Sequence, residues 1–267
     1  MGLFGKLFGK KSRDEASSAP QAPSTGDQDS QNEQNEQNEQ NEQNEQNEQN
    51  EQNEQNEQNG PDIAPELAPA LAAYQAGRHE AAIAIAAPYA ERLADAARLC
   101  ALAYSAMDRY ADAFPHWLAL FEQEPSAHNA VQLATTSVMC GEVKRGEAWL
   151  QKAAEINHET HEQSDVAARV NFISALMQSG HLYDALPHIA WMRDVYGQVR
   201  ITDSTFLYMR GIPFFPSFLE KSLEILKATQ PADAIAPWYG ALHGKLDEEG
   251  EAQLAAWVGQ LPEQPAA

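Results

Sequence analysis

The chain has 267 residues, with 18 Lys and Arg against 39 Asp and Glu, a formal charge of −21, and only two cysteines. That balance disfavours nucleic-acid backbones, whose phosphates need clustered cations, and two thiols make no disulfide framework. No run of about 18 apolar residues occurs, so no spanning helix is expected, and the start lacks the apolar stretch of a secretory signal.

Residues 1–11 read MGLFGKLFGKK. Leu3, Phe4, Leu7 and Phe8 share one helical face, while Lys6, Lys10 and Lys11 lie towards the other. Bulky apolar groups beside cations suit a helix lying in the plane of a membrane surface, where each cation adds about 1 kcal/mol near an anionic leaflet. Gly2, Gly5 and Gly9 oppose this, each costing roughly 1 kcal/mol of helix propensity. The segment reads either as a docking element for a membrane or partner, or as a frayed leader. Lys6 stands where the myristoylation pattern needs Ser or Thr.

Residues 12–61 form the next segment, rich in Ser, Pro, Gln, Asn and Glu, with nine Asn-Glu-Gln units over residues 32–58. Nothing in that tract can join an apolar core, so the expectation is a disordered linker with an end-to-end distance of roughly 40 Å. A period of three without apolar residues offers no coiled-coil seam.

From residue 62 the pattern turns Ala-, Leu- and aromatic-rich with a 3.6-residue period, and hardly any stretch alternates with period two. From Gly60 onward 14 Lys and Arg face 26 Asp and Glu, a net charge of −12. Breaks are expected at Gly77, residues 107–109, Pro125, Gly141, residues 157–164, Gly180 and Gly197, leaving helices short enough to fold back as pairs. Cys100 and Cys140 fall within helices among apolar neighbours, where buried, reduced thiols are expected. Aligned on the turn inside each pair, the first has Tyr74, Gly77, His79 and Ala82, and the second Tyr104, Asp108, Tyr110, Ala113, Trp117 and Pro125. The third has Ala134, Gly141, Val143, Gly146, Leu150 and Ala153, and the fourth Leu176, Gly180, Leu182, Ala185, Ile189 and Met192.

With these positions the chain resembles the tetratricopeptide repeat (TPR) family, whose unit is about 34 residues. The resemblance is fullest in the second pair and covers residues 63–199. It departs at Pro65 and Pro69 in the opening helix and at about five extra residues before the fourth pair. It implies an all-α fold, a right-handed solenoid of helical hairpins over residues 62–198, with a helical cap over residues 199–261. In that cap Phe218, Leu219, Leu223, Ile225 and Leu226 should face inward from a helix over residues 216–229, and Trp238 and Trp257 should pack. Helices are also expected over residues 202–209, 232–244 and 247–259.

The family's concave groove is lined by first-helix residues, which here implies Arg98 and Leu102 from the second pair. The third pair supplies His128, Val131, Gln132 and Thr135, and the fourth Val170, Asn171, Ser174 and Gln178. Chaperone-binding members hold a terminal carboxylate pair with Lys and Asn where this chain has Leu102, His128, Val131 and Thr135, so that ligand is not expected. One arginine, amides and hydroxyls suit an extended peptide held by its backbone.

No Gly-rich phosphate loop, GxSxG, CxxC or HExxH is present, so neither catalysis nor a cofactor is expected. His158 and His161 share a helical face, but the sequence presents no third ligand, and a solvated turn is the simpler reading of that segment. The expectation is a non-enzymatic adaptor or scaffold that holds a protein or peptide partner in its groove, cytoplasmic, with residues 1–11 docking either to a membrane's inner face or to a partner. The alternative is an inhibitor or immunity protein whose acidic surface meets a basic toxin.

Overall fold

The structure, a computed structural model, describes residues 63–161 and 164–261. The expectations placed on residues 1–11 and on the Asn-Glu-Gln tract lie outside the described residues. The chain divides into two units, residues 1–68 and 69–267. Of the first, the described part holds a 3-10 turn, Pro65–Leu67, closed by Leu67 N–H donating to the Ala64 carbonyl, and ends at Ala68, the first residue of an α-helix.

All regular structure among the described residues is helical, and no helix there is long and apolar enough to cross a membrane. The α-helices are α1 (Ala68–Gln75), α2 (His79–Ala86), α3 (Ala94–Ala106), α4 (Tyr110–Gln123), α5 (Ala127–Met139) and α6 (Val143–Thr160). They continue as α7 (Asp165–Gln178), α8 (Leu182–Val199), α9 (Ser204–Met209), α10 (Phe215–Thr229), α11 (Ala232–Gly240) and α12 (Glu248–Gln260). Pro69 occupies the first turn of α1, where a missing N–H costs nothing.

The turns α1–α2, α3–α4, α5–α6 and α7–α8 share one construction. Arg78, Arg109, Glu142 and His181 donate their N–H groups to the carbonyls of Ala73, Tyr104, Ser137 and Leu176, closing a Schellman motif at each helix end. The left-handed residue is Gly77, Gly141 or Gly180 in three of them and Asp108 (φ +57°) in the fourth. Asp108 Oδ1 accepts from Tyr110 Oη at 3.0 Å, a local bond of the kind that lets Asp adopt this conformation.

Immediately after each turn, the fourth residue of the following helix is small and buried: Ala82, Ala113, Gly146 and Ala185. At Gly146 the reason is visible. A Cβ there would lie 2.7 Å from Val138 Cγ2 and 2.9 Å from the Ala134 carbonyl oxygen, so α6 crosses the α5 backbone in van der Waals contact. Neighbours in sequence are neighbours in space: α2 packs on α3, α3 on α4, α4 on α5, and α5 on both α6 and α7. Beyond them α7 packs on α8, α8 on α10, and α10 on α11 and α12. A continuous apolar core runs from Ala130 in α5 to Leu254 in α12.

Several expected boundaries are corrected. The break anticipated at residues 157–164 is shorter, because α6 continues to Thr160 and stops at His161 in the left-handed conformation. Asn157 is buried, and its Nδ2 donates to Asp165 Oδ1 at 2.7 Å, tying α6 to α7. Gly197 does not end a helix: α8 passes through it to Val199 and Arg200 caps it. An added Cβ at Gly197 would meet Lys245 Cδ at 3.3 Å, so the glycine provides a close approach rather than a stop. The expected helix over residues 232–244 ends at Gly240, and Cys140 is half-buried at the end of α5 while Cys100 is buried.

In the C-terminal part Phe218, Leu219, Ile225 and Leu226 are buried as expected, with Phe215 beside them. Tyr196 of α8 packs its ring, tilted by 40°, on Phe218 at 4.6 Å between centroids and donates its hydroxyl to the Pro213 carbonyl at 2.5 Å. Trp238 packs on Phe218, and Trp257 borders the core.

Candidate functional site

The groove candidates fall on α3, α5 and α7. Ser126 and Ser164 begin α5 and α7 by accepting the N–H groups of Asn129 and Val166, so both helices start in defined register. Spacings of three and four residues then put His128, Gln132 and Thr135 on one side of α5, and Asn171, Ser174 and Gln178 on one side of α7. The α5 and α7 helices pack against each other.

The candidates differ in what they offer a ligand. On α7, Asn171 and Gln178 are exposed, while the Ser174 hydroxyl is half-buried and donates to the Val170 carbonyl at 2.9 Å. On α5, His128 is exposed, and Gln132 is buried with its amide 3.3 Å from His128 Nε2. If the amide donates, that nitrogen accepts and the imidazole carries its proton on Nδ1. Thr135 donates to the Val131 carbonyl at 3.1 Å and Val131 is buried. Intrahelical bonds of this kind hold the Ser and Thr hydroxyls against their own helices. On α3, Leu102 is buried and Arg98 pairs with Asp95 and, at 2.6 Å, with Glu124. The close neighbours of α5 are α4, α6 and α7, and Arg98 reaches the start of α5 through Glu124, whose carbonyl accepts from Asn129 Nδ2 at 2.8 Å.

A second polar cluster lies where α6, α7 and α8 meet, and it escaped the sequence analysis. His188 is 7 % exposed and sits edge-on to Phe172, with ring centroids 5.0 Å apart. Its Nδ1 lies 3.1 Å from Arg169 Nη1, and its Nε2 lies 3.9 Å from Glu147 Oε1, too far for a hydrogen bond. The Arg169 guanidinium also lies over the Trp191 ring at 4.3 Å. Burial, and then the Arg169 charge, push the His188 pKa down to about 4, against a smaller opposing pull from Asp184. One signal was available: residues 112–116 read Asp-Ala-Phe-Pro-His and residues 184–188 read Asp-Ala-Leu-Pro-His. The first of these places His116 on Tyr104, stacked at 5.5 Å.

His158 lies in the last turn of α6 and His161 at its left-handed cap, both exposed. Among the described residues no group of three or more His, Cys, Asp or Glu side chains stands close enough together to hold a metal ion. No protein-family model matches the chain, and no curated protein matches it either.

Proposed function

We propose that this chain is a TPR-like helical-hairpin solenoid that binds an extended segment of a protein partner and performs no catalysis. The observation that carries the reading is the shared construction of the helix pairs. Each has the same Schellman turn followed at the same position by a small buried residue, Ala82, Ala113, Gly146 or Ala185. Such pairs cannot bury their apolar faces alone and are stable only when stacked, which leaves a continuous outer surface for a ligand. The α5–α7 face supplies the binding surface, with Asn171, Gln178 and His128 outermost. Side-chain amides both donate and accept, which suits the backbone of an extended peptide. In the same reading residues 1–11 are a docking element for an anionic membrane or a partner, and the protein works in the cytoplasm.

The test is affinity capture from native lysate with the full chain and with an Asn171→Lys, Gln178→Lys double variant. Both substitutions are at exposed positions and should leave the fold unchanged by circular dichroism. A partner retained by the parent and lost by the variant supports the groove. A partner retained equally by both removes the α7 face from the proposal.

A further inference from the structure

The helices α11 and α12 enclose an open cavity of about 470 Å³. Its walls are almost wholly apolar, formed by Ala236 and Tyr239 of α11 and by Ala252, Leu254, Ala255 and Val258 of α12. The floor is rigid. Tyr239 is fully buried, and its hydroxyl lies 2.9 Å from Ser222 Oγ and donates to the Leu219 carbonyl at 3.1 Å, locking α11 to α10. Leu254 is 4 % exposed. The side walls are alanines, which leave room for the side chains of another molecule.

One edge of the cavity carries a carboxylate paired with a histidine. Glu251 Oε1 accepts the Leu246 N–H at 3.1 Å, and its Oε2 lies 2.9 Å from His243 Nδ1. Glu248 and Glu249 begin the same helix. Lys245 lines a different cleft with Arg193 and Asp194 and packs beside Gly197 of α8.

We propose that this cavity is a docking pocket, separate from the α5–α7 face, for a partner segment that inserts a large apolar side chain and places a basic residue against Glu251. Charge complementarity selects that occupant. The chain from Gly60 onward carries a net charge of −12, and Glu251 is the one carboxylate that lines the cavity. A second copy of the chain carries the same net negative charge, so self-association is disfavoured. The apolar wall supplies affinity, and the carboxylate supplies the preference for a cation.

Two fluorescein-labelled synthetic peptides test it against the full chain by anisotropy, one of sequence Ser-Phe-Leu-Lys-Arg-Ser and one with both cations replaced by glutamates. The basic peptide should bind saturably and the acidic one should not. Ala255→Trp, and separately Ala252→Trp, fill the cavity from exposed positions and should weaken binding about tenfold or more. Glu251→Gln keeps the hydrogen bond from Leu246 and should weaken binding about threefold while reducing its salt dependence. The Asn171→Lys, Gln178→Lys variant should bind the peptide like the parent, which separates this pocket from the groove. Equal binding of the two peptides, or unchanged binding in both tryptophan variants while each melts cooperatively, would overturn the proposal. So would self-association that the basic peptide fails to compete, since the occupant would then be a second copy.

Discussion

Arg169 on α7 directs its guanidinium at Nδ1 of His188 on α8, 3.1 Å away, and in doing so makes the buried imidazole an acceptor. A guanidinium cannot accept a proton, so the contact exists only with neutral His188 and its N–H on Nε2. That nitrogen is buried without a hydrogen-bond partner, 3.9 Å from Glu147 Oε1. Facing the ring are Phe172 and Arg169 from α7, Glu147 from α6 and Asp184 from its own helix, and burial and the arginine together outweigh the pull of Asp184.

The first prediction concerns pH. His188 has its pKa lowered from 6.5 to about 4 in the folded chain, so between those values the unfolded chain binds the extra proton. Stability is therefore present above pH 6.5 and is lost as pH falls towards 4, by on the order of 3 kcal/mol in full. His116, lowered by burial, adds to the loss with the same sign. Urea unfolding at pH 7, 5.5 and 4.5 should show this slope, and His188→Leu should flatten it despite a lower stability at pH 7. A slope identical in the variant would mean that other groups govern the acid limb.

The second prediction concerns helix contacts. Gly146→Ala raises helix propensity by about 1 kcal/mol, which on an exposed helix would stabilise. Here the new methyl would meet the Ala134 carbonyl at 2.9 Å, and backbone cannot rotate away. The substitution should destabilise, by roughly 1–3 kcal/mol, as should Ala113→Leu at the equivalent buried position in α4. Thermal unfolding decides the sign. A Gly146→Ala protein that melts at or above the parent temperature would show that α5 and α6 can separate at no cost.

The third prediction concerns the last helix. Asp247 accepts the Gly250 N–H at 2.9 Å as the N-cap of α12, and also the N–H and hydroxyl of Thr202 at 2.8 and 2.5 Å. Some burial raises its pKa, but the hydrogen bonds from Thr202 and Gly250 prevail and hold it below the usual carboxylate range. Asp247→Ala removes a cap worth about 1 kcal/mol and strands the N–H of Thr202, a residue 5 % exposed. The expected cost is about 2–3 kcal/mol, read by denaturant unfolding, with increased amide exchange at Thr202. A loss no larger than that of a cap alone would mean that water replaces the carboxylate at Thr202.

Much of the architecture follows from local chemistry. Apolar residues at helical spacing, left-handed glycines after α1, α5 and α7, and the small residues Ala82, Ala113, Gly146 and Ala185 all act within a few residues of themselves, so their consequences are legible in one dimension. The aromatic Phe218 and the apolar Ile225 and Leu226 likewise declare an inward face by period alone. What eluded the sequence depends on partners distant along the chain. Gly197 reads as a helix end until Lys245 is seen against it. Asn157 reads as loop until its amide meets Asp165, and His188 reads as a surface histidine until Arg169, Phe172 and Glu147 close around it. The candidates on α5 share a helical face as the period requires, yet Gln132 is buried and His128 exposed, because burial depends on which neighbouring helix covers the face. Periodicity specifies which residues of a helix point the same way. Only the packing of that helix against the next determines whether they meet solvent, another side chain or a partner.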